Sequence, residues 1–371
     1  MSKKPLKIAI LGCGGMGSGH ARMIRGGSEL PNGFSFPENP NITTTDLSDK
    51  LVLAGIYDIN PERQKWAAEN DIFNYDSYDA ILADPEIDIV LIALPNHLHK
   101  EAAIRALRAG KNVLCEKPVM IHSQDLIDVM EVAKETGKVF YPRQNRRWDQ
   151  DYLIMKKIYD EHLLGDVFNV ECRIMGSRGI PGDWRGVKEY GGGMILDWGV
   201  HILDRMLKMI PEKVKYVYCS NYFITNKECE DNTKIHLTFE SGITALLEVA
   251  TCHFINLPLW YMAGDHGTAV INSWRCDGKI MKLNSWEDKD TTPIQAGEGL
   301  TKTMAPRAEN TVEELPLPEV AFDRNALYLN LVDTVNGDAE QIVKPEEALR
   351  ILRLMEACFQ SAETHTVVEF E

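Results

Sequence analysis

"LKIAILGCGGMGSGHARMI", residues 6–24, decides the fold. The apolar run from Leu6 to Leu11 reads as a strand, a glycine turn follows, and a helix begins within the turn. Gly12, Gly14 and Gly17 stand in the dinucleotide-binding spacing. The first glycine permits the tight turn. The second lets the backbone approach a pyrophosphate, and the third lets helix and strand pack closely. With the strand before it and the helix after it, the motif has the context that gives it meaning. Cys13, Gly15 and Met16 complete the candidate phosphate loop. The bland reading is a glycine-rich turn with no ligand.

Outward from this point, strand and helix alternate to about residue 142. "LVLAGIYD" (51–58), "IDIVLIALP" (87–95) and "NVLC" (112–115) read as strands buried on both faces of a parallel sheet. Between them lie "PERQKWAAEN", "HKEAAIRALRAGK" and "SQDLIDVMEVAKETGK", with Ser123 placed to cap the last helix and Gly137 to stop it. The alternation predicts a doubly wound α/β Rossmann domain over 1–143. Beyond it, strands follow one another with few helices. "VKYVYCSN", "TKIHLTFE", "GITALLEVA" and "GTAVINSW" predict an α+β domain over 144–371 with a mostly antiparallel sheet. "FESGIT" marks a hairpin, and the last helix is expected to pack back on the first domain. Residues 275–320 are polar, proline-punctuated and without a clear pattern.

Composition narrows the function. The chain has 371 residues, 40 basic and 55 acidic, for a net charge of −15, which argues against nucleic acid or an anionic membrane as partner. No apolar run approaches the roughly 20 residues of a bilayer span. The lysine-led start runs into glycines after Leu11 and reads as a strand, not a signal peptide. Eight scattered cysteines without a CxxC pair predict reduced thiols in a cytoplasm.

Asp58 ends the second strand, where a carboxylate binds ribose hydroxyls and repels a 2′-phosphate, so NAD is the expected cofactor. Asp58 lies 41 residues beyond Gly17, against the usual ~20. The excess, "GGSELPNGFSFPENPNITTTDLSDK" (26–50), reads as an inserted loop near the adenosine end. The alternative for Asp58 is a cap on the next helix. Leu94, Pro95 and Asn96 end one strand and Glu116 and Lys117 the next, and both tips border the crevice where ligands of such sheets bind. A charged pair on a buried strand tip is costly unless something uses it. "EYGGGMILDWGVHILDRMLKMI" (189–210) then places Asp197, His201, Asp204 and Lys208 on one helical stripe, with Arg205 beside it. A carboxylate one turn before an imidazole is placed to orient it. A solvated helix face explains the stripe as well, and a metal site lacks a third ligand.

These stretches together resemble the Gfo/Idh/MocA oxidoreductases, the glucose–fructose oxidoreductase and inositol dehydrogenase family. The resemblance runs through "DPEIDIVLIALPNHLHKEAAIRALRAGKNVLCEKPV", "NRRWDQDY", "DWR", "GGGMILDWGVHILD" and "EEALRILRLMEACFQSAETHTVV". It implies a homo-oligomer, dimer or tetramer, through the outer face of the second sheet. It also implies that Lys117 lies near nicotinamide and substrate, and that His201 is the acid/base with Asp197 as its partner. Asn96, His99 and Glu116 would line the cofactor site. Asn145, Arg147, Trp184 and Arg185 would help bind substrate, with Trp184 as core and Arg147 as a salt bridge the bland alternatives. The implied reaction is NAD-dependent oxidation or reduction of a secondary hydroxyl on a sugar, glycoside or cyclic polyol, without a metal. The alternatives within the resemblance are a glycosidase that retains NAD and a non-catalytic NAD-binding regulator.

Overall fold

The computed structural model describes residues 4–27, 41–287 and 307–371. The opening stretch forms β1 (Leu6–Leu11) and α1 (Gly15–Ile24). After the short β2 (Ile42–Thr43) come β3 (Leu51–Tyr57), α2 (Pro61–Glu69) and α3 (Tyr78–Ala83). β4 (Ile89–Ile92), α4 (His99–Arg108), β5 (Asn112–Cys115), α5 (Ser123–Thr136) and β6 (Phe140–Pro142) complete the first lobe's alternation. The sheet is wholly parallel, in the order β3-β1-β4-β5-β6. The strand order reverses between β1 and β4. A crevice opens there beyond the carboxyl ends of the strands, the usual ligand position of such sheets.

The second lobe begins with α6 (Gln150–Asp160) and β7 (Val167–Met175). A π-helical turn, Ile195–Gly199, runs directly into α7 (Val200–Met209). Then come β8 (Val214–Tyr222), β9 (Asn232–Phe239), β10 (Thr244–Ala250), β11 (Trp260–Gly264), β12 (Gly267–Ile271), β13 (Gly278–Leu283) and β14 (Val312–Leu315). With β16 (Val368–Glu369) and β7 they make a nine-stranded sheet. All neighbours run antiparallel except β7 and β10, which are parallel. The hairpin between β9 and β10 stands where "FESGIT" placed it. β11, β13 and β14 carry too little alternation to stand out in sequence; residues 288–306 of the unassigned tract lie outside the described residues.

β15 (Phe322–Asp323) pairs with β2, α8 (Ala326–Val335) follows, and α9 (Pro345–Thr364) packs on β8 while also touching α5. Leu327, Tyr328, Leu331 and Val332 of α8 lie beyond residue 144, yet they join Ile8, Ile10, Leu91 and Leu114 in the core on one face of the parallel sheet. Ser123 does not cap α5. Its N–H and hydroxyl donate to Glu356 of α9 at 2.8 and 2.7 Å, so this serine fastens the last helix instead. Of the insertion, residues 28–40 lie outside the described residues, while the described end carries β2, with Ile42 and Thr44 lining a second cavity. All eight cysteines are free thiols, and among the described residues no helix is long and apolar enough to cross a membrane.

Candidate active site

The phosphate loop is held by backbone contacts that admit no side chain. Gly12 has φ +90°, and a Cβ there would lie 2.5 Å from the Ala93 carbonyl oxygen. A Cβ on Gly17 would lie 2.0 Å from the Gly12 oxygen. Gly14 and Gly15, in contrast, face open space, and both line a cleft of about 800 Å³ at the N-terminus of α1. Exposed N–H groups and the helix dipole suit a pyrophosphate at that point. Asp58 lines the same cleft. Its carboxylate accepts from Cys13 N–H at 2.6 Å and Asn60 N–H at 2.8 Å. A carboxylate has about four acceptor positions, which leaves room for ribose hydroxyls. The cap on α2 is Asn60, not Asp58. The Cys13 side chain points into the core, so this residue offers the cleft nothing but backbone.

Both strand tips reach the cleft as expected, with Leu94, Pro95, Asn96, Glu116 and Lys117 in its wall. His99 does not reach it. The ring is fully buried and spans the carbonyl oxygens of Leu94 (2.8 Å) and Pro118 (3.0 Å), bracing one tip against the other. Asn96 donates to the Gly191 carbonyl at 2.8 Å and joins the lobes.

The two charges of "NVLCEKPVM" part company. Glu116 turns inward and meets His20 at 2.6 Å and Arg143 at 3.0 Å. Burial pushes this carboxyl up, but Arg143, His20 and Lys117 outweigh burial and hold it below the ordinary glutamate range. Lys117 turns outward to the other lobe. Its ammonium donates to the Asp197 carbonyl and to Asp197 Oδ1, both at 2.7 Å. An ammonium has three donors; the third meets no acceptor among the described residues.

Asp197 therefore serves Lys117, not His201. Asp197 stands on a π-helical turn, Ile195–Gly199, where the stripe assumed α-helical spacing. Burial pushes the Asp197 carboxyl up, and Lys117, Arg185 and Arg146 more than reverse this. No hydrogen bond reaches His201 among the described residues, and its buried Nδ1 has no partner. Trp198 lies edge-on to the imidazole, with centroids 5.8 Å apart. Burial first, then the cations Lys117, Arg146, Arg205 and Arg143, push its pKa well below the ordinary histidine value. Burial and the surrounding cations therefore oppose the imidazolium form of His201. The turn that carries Asp197 is capped from elsewhere: Glu230 accepts from Ile195 N–H at 2.9 Å, and its pKa is pushed up to about 7 by burial.

The remaining stripe is structural. Asp204 binds Arg147 through Nε at 2.9 Å, Arg205 binds Asp151 at 3.0 Å, and Lys208 binds Glu347 at 2.8 Å. Arg147, buried between Asp204 and Glu347, cannot reach a substrate. Removing one partner of a buried pair strands the other charge, so Arg147→Ala should cost about 3–5 kcal/mol of stability in urea unfolding. A cost under about 1 kcal/mol, the range of an exposed pair, would overturn this assignment.

The neighbouring Arg146, which sequence reading missed, is the guanidinium whose charge is felt by Asp197 and His201. It lies 4.4 Å from the Trp198 ring centroid and 5.3 Å from that of Trp274. Arg146 and Arg147 are adjacent on a tight turn, Asn145–Trp148, and nothing in the spacing says which faces in. Asn145 and Arg146 line the second cavity, with Trp148 and Trp274. Trp184 and Arg185 instead line the cleft beside Asp197, with Arg185 Nε 3.6 Å from Asp197 Oδ2.

A dinucleotide crevice closed by a second lobe whose Asp197 fixes Lys117 is the layout of a nicotinamide-dependent oxidoreductase. Comparison with known proteins agrees. Residues 6–144 match the family described as "Oxidoreductase family, NAD-binding Rossmann fold", and residues 152–270 match the GFO/IDH/MocA C-terminal domain. A solved NAD-binding protein from Listeria innocua is 43% identical with a TM-score of 0.90, over 99% of this chain and 100% of that one. The scyllo-inositol 2-dehydrogenase (NADP(+)) of Bacillus subtilis is 24% identical over 79% of this chain and 82% of its own. The 2,7-anhydro-N-acetylneuraminate hydratase of Escherichia coli is 29% identical over 46% of this chain and 47% of its own. The chain belongs to the Gfo/Idh/MocA family of NAD-binding oxidoreductases.

Proposed function

We propose that the protein oxidises, or in reverse reduces, a secondary hydroxyl of a sugar, glycoside or cyclic polyol, with the 3-hydroxyl of a pyranose as the favoured position. The observation that carries the reading is the buried His201, within the field of the Asp197-anchored ammonium of Lys117. Gly14, Gly15 and Asp58 would hold NAD along the cleft. The chemistry a bound NAD supplies is acceptance of a hydride. His201 takes the hydroxyl proton. Lys117 places its third donor on the oxygen and stabilises the developing alkoxide, which lets a weak base suffice. Asp197 fixes the ammonium, so that no reorganisation is needed as charge develops. The family membership and the sugar or inositol names of relatives support the substrate class.

A panel of sugars, inositols and glycosides incubated with NAD, followed by reduced nicotinamide and by mass spectrometry of keto products, tests this reading. Aglycone release without reduced nicotinamide would point instead to oxidation, elimination and re-reduction on retained NAD. Cofactor choice has its own test. Asp58 should make NAD bind more tightly than NADP, and Asp58→Ser should narrow the gap in calorimetric titrations. Equal affinity of the native protein for both would remove Asp58 from this role.

A further inference from the structure

Glu230 stands two residues before β9, on backbone that is tied down. The next residue, Asp231, donates its N–H to the Tyr222 carbonyl at 3.0 Å, and its carboxylate accepts from the Ile224 and Asn226 N–H groups at 2.9 and 3.2 Å. Glu230 itself is 5% exposed. Its carbonyl and its carboxyl both meet residues 193–195. The carbonyl accepts from Met194 N–H at 3.0 Å, and Oε1 accepts from Ile195 N–H at 2.9 Å. Gly193 has φ +106°, and a Cβ there would lie 2.5 and 2.6 Å from the two carboxyl oxygens. Only glycine leaves them room, which gives the last member of the glycine triplet its use. Ile195 opens the π-helical turn. The first N–H groups of a helix have no partner within it, and the carboxyl supplies one. Asp197 N–H donates back to the Gly193 carbonyl at 3.1 Å, so the seat and the turn are bonded to each other.

What the turn carries decides the consequence. Lys117 places one donor on the Asp197 side chain and another on the Asp197 backbone carbonyl, each at 2.7 Å. A shift of the turn displaces both acceptors together, and a new rotamer of the aspartate cannot restore the backbone one. We infer that Glu230 is a positioning residue: its carboxyl seats the backbone of residues 193–195 and, through Asp197, fixes the ammonium that meets the substrate oxygen. This rests on the oxidoreductase reading above and deepens it.

The surroundings say which substitution preserves the seat. Burial pushes the Glu230 carboxyl up to about 7 and the charge of Asp231 adds to the rise, while the Ile195 N–H and Lys188 oppose it. The thiols of Cys219 in β8 and of Cys229 lie within its field. A carboxyl that is partly protonated near neutrality offers a neutral acceptor much of the time. Glutamine has the same reach and the same acceptor oxygen, so it should hold the turn. Alanine removes the acceptor.

The experiment compares the full native chain with Glu230→Ala and Glu230→Gln. Amide hydrogen exchange over residues 191–199 should run roughly tenfold faster in Glu230→Ala, the protection that one charge-assisted hydrogen bond gives, and return toward the native rate in Glu230→Gln. Lys117, held less firmly in Glu230→Ala, should be acetylated faster by acetic anhydride, read by mass spectrometry of its peptide. Turnover at saturating NAD, with the fastest compound of the sugar, inositol and glycoside panel, should fall roughly ten- to a hundredfold in Glu230→Ala, the scale of a small misplacement at a reacting centre. Glu230→Gln should recover most of that loss, and NAD affinity should hold in both, because the glycine loop and Asp58 are untouched. If Glu230→Ala does not fold, Glu230→Asp, which draws the carboxyl back by a methylene, takes its place. Native exchange and native Lys117 labelling in the folded variant overturn the inference. Faster exchange with native labelling and turnover makes Glu230 a cap and nothing more, and overturns it too, as does a loss that Glu230→Gln does not relieve. Exchange and labelling need no substrate. If both change as expected while no compound of the panel is oxidised, the positioning stands and the oxidoreductase reading falls. Oxidation that neither variant alters, with native exchange and labelling, does the reverse.

Discussion

Lys117→Ala should lower single-turnover oxidation, at saturating NAD, by roughly a hundredfold or more, the loss typical of one preorganised charge stabiliser. The ammonium is held by two bonds to Asp197, so it meets the alkoxide already in position. Removing it leaves Asp197 with Arg185 at 3.6 Å, so the carboxylate is not wholly stranded and the fold should survive. NAD affinity should drop only in part, because the glycine loop and Asp58 remain. Lys117→Ala with Asp197→Asn removes the residual buried charge and separates chemistry from stability: turnover should stay low while the unfolding midpoint recovers. A folded, NAD-binding Lys117→Ala that turns over like the parent would make the charged tip structural and end this account of it.

His201→Ala should cost a factor on the order of 10² to 10⁴ in the same assay, the usual range for a general base. The double variant with Lys117→Ala should lose less than the product of the two, since groups acting as a unit are not additive. The pH profile carries the sharper test. A base must be neutral to accept the proton, and burial with four nearby cations opposes the imidazolium. The acid limb of kcat for oxidation should therefore lie below pH 6.5 in the native protein. Removing a cation favours the imidazolium, so Arg146→Gln should move that limb to higher pH. A limb that stays fixed in Arg146→Gln would mean that another group titrates.

Much of this was legible in sequence where chemistry forces residue type. Gly12 and Gly17 could be read because a Cβ would strike backbone. The buried strands could be read because both faces of a parallel sheet must be apolar. Asp58 and the "EKP" tip could be read because strand ends in such sheets meet ligands. What escaped depends on direction within a turn. Arg146 and Arg147 differ by one step on a tight turn, and their roles are opposite. Asp197 stands on a π-helical turn and bonds Lys117, and nothing in the spacing announces such a turn. His99 and Ser123 carry suitable chemistry, but three-dimensional neighbours use it elsewhere: the carbonyls of Leu94 and Pro118, and Glu356. Trp274 reaches Trp198 and Arg146 from a hairpin more than seventy residues beyond His201, a distance no local pattern bridges.

The place of α8 bears on how this protein can be cut and recombined. Leu327, Tyr328 and Leu331 fill the face of the parallel sheet opposite α4 and α5, and Tyr328 meets His20 in its interior. The nucleotide-binding lobe is thus discontinuous along the chain, and its last piece is synthesised some 180 residues after its sheet is complete. A fragment ending near residue 143 would expose that face to water, and a chimera joined there would pair one parent's sheet with the other parent's helix. A functional exchange of the lobe needs two crossovers, with residues 323–343 travelling together with the first 143.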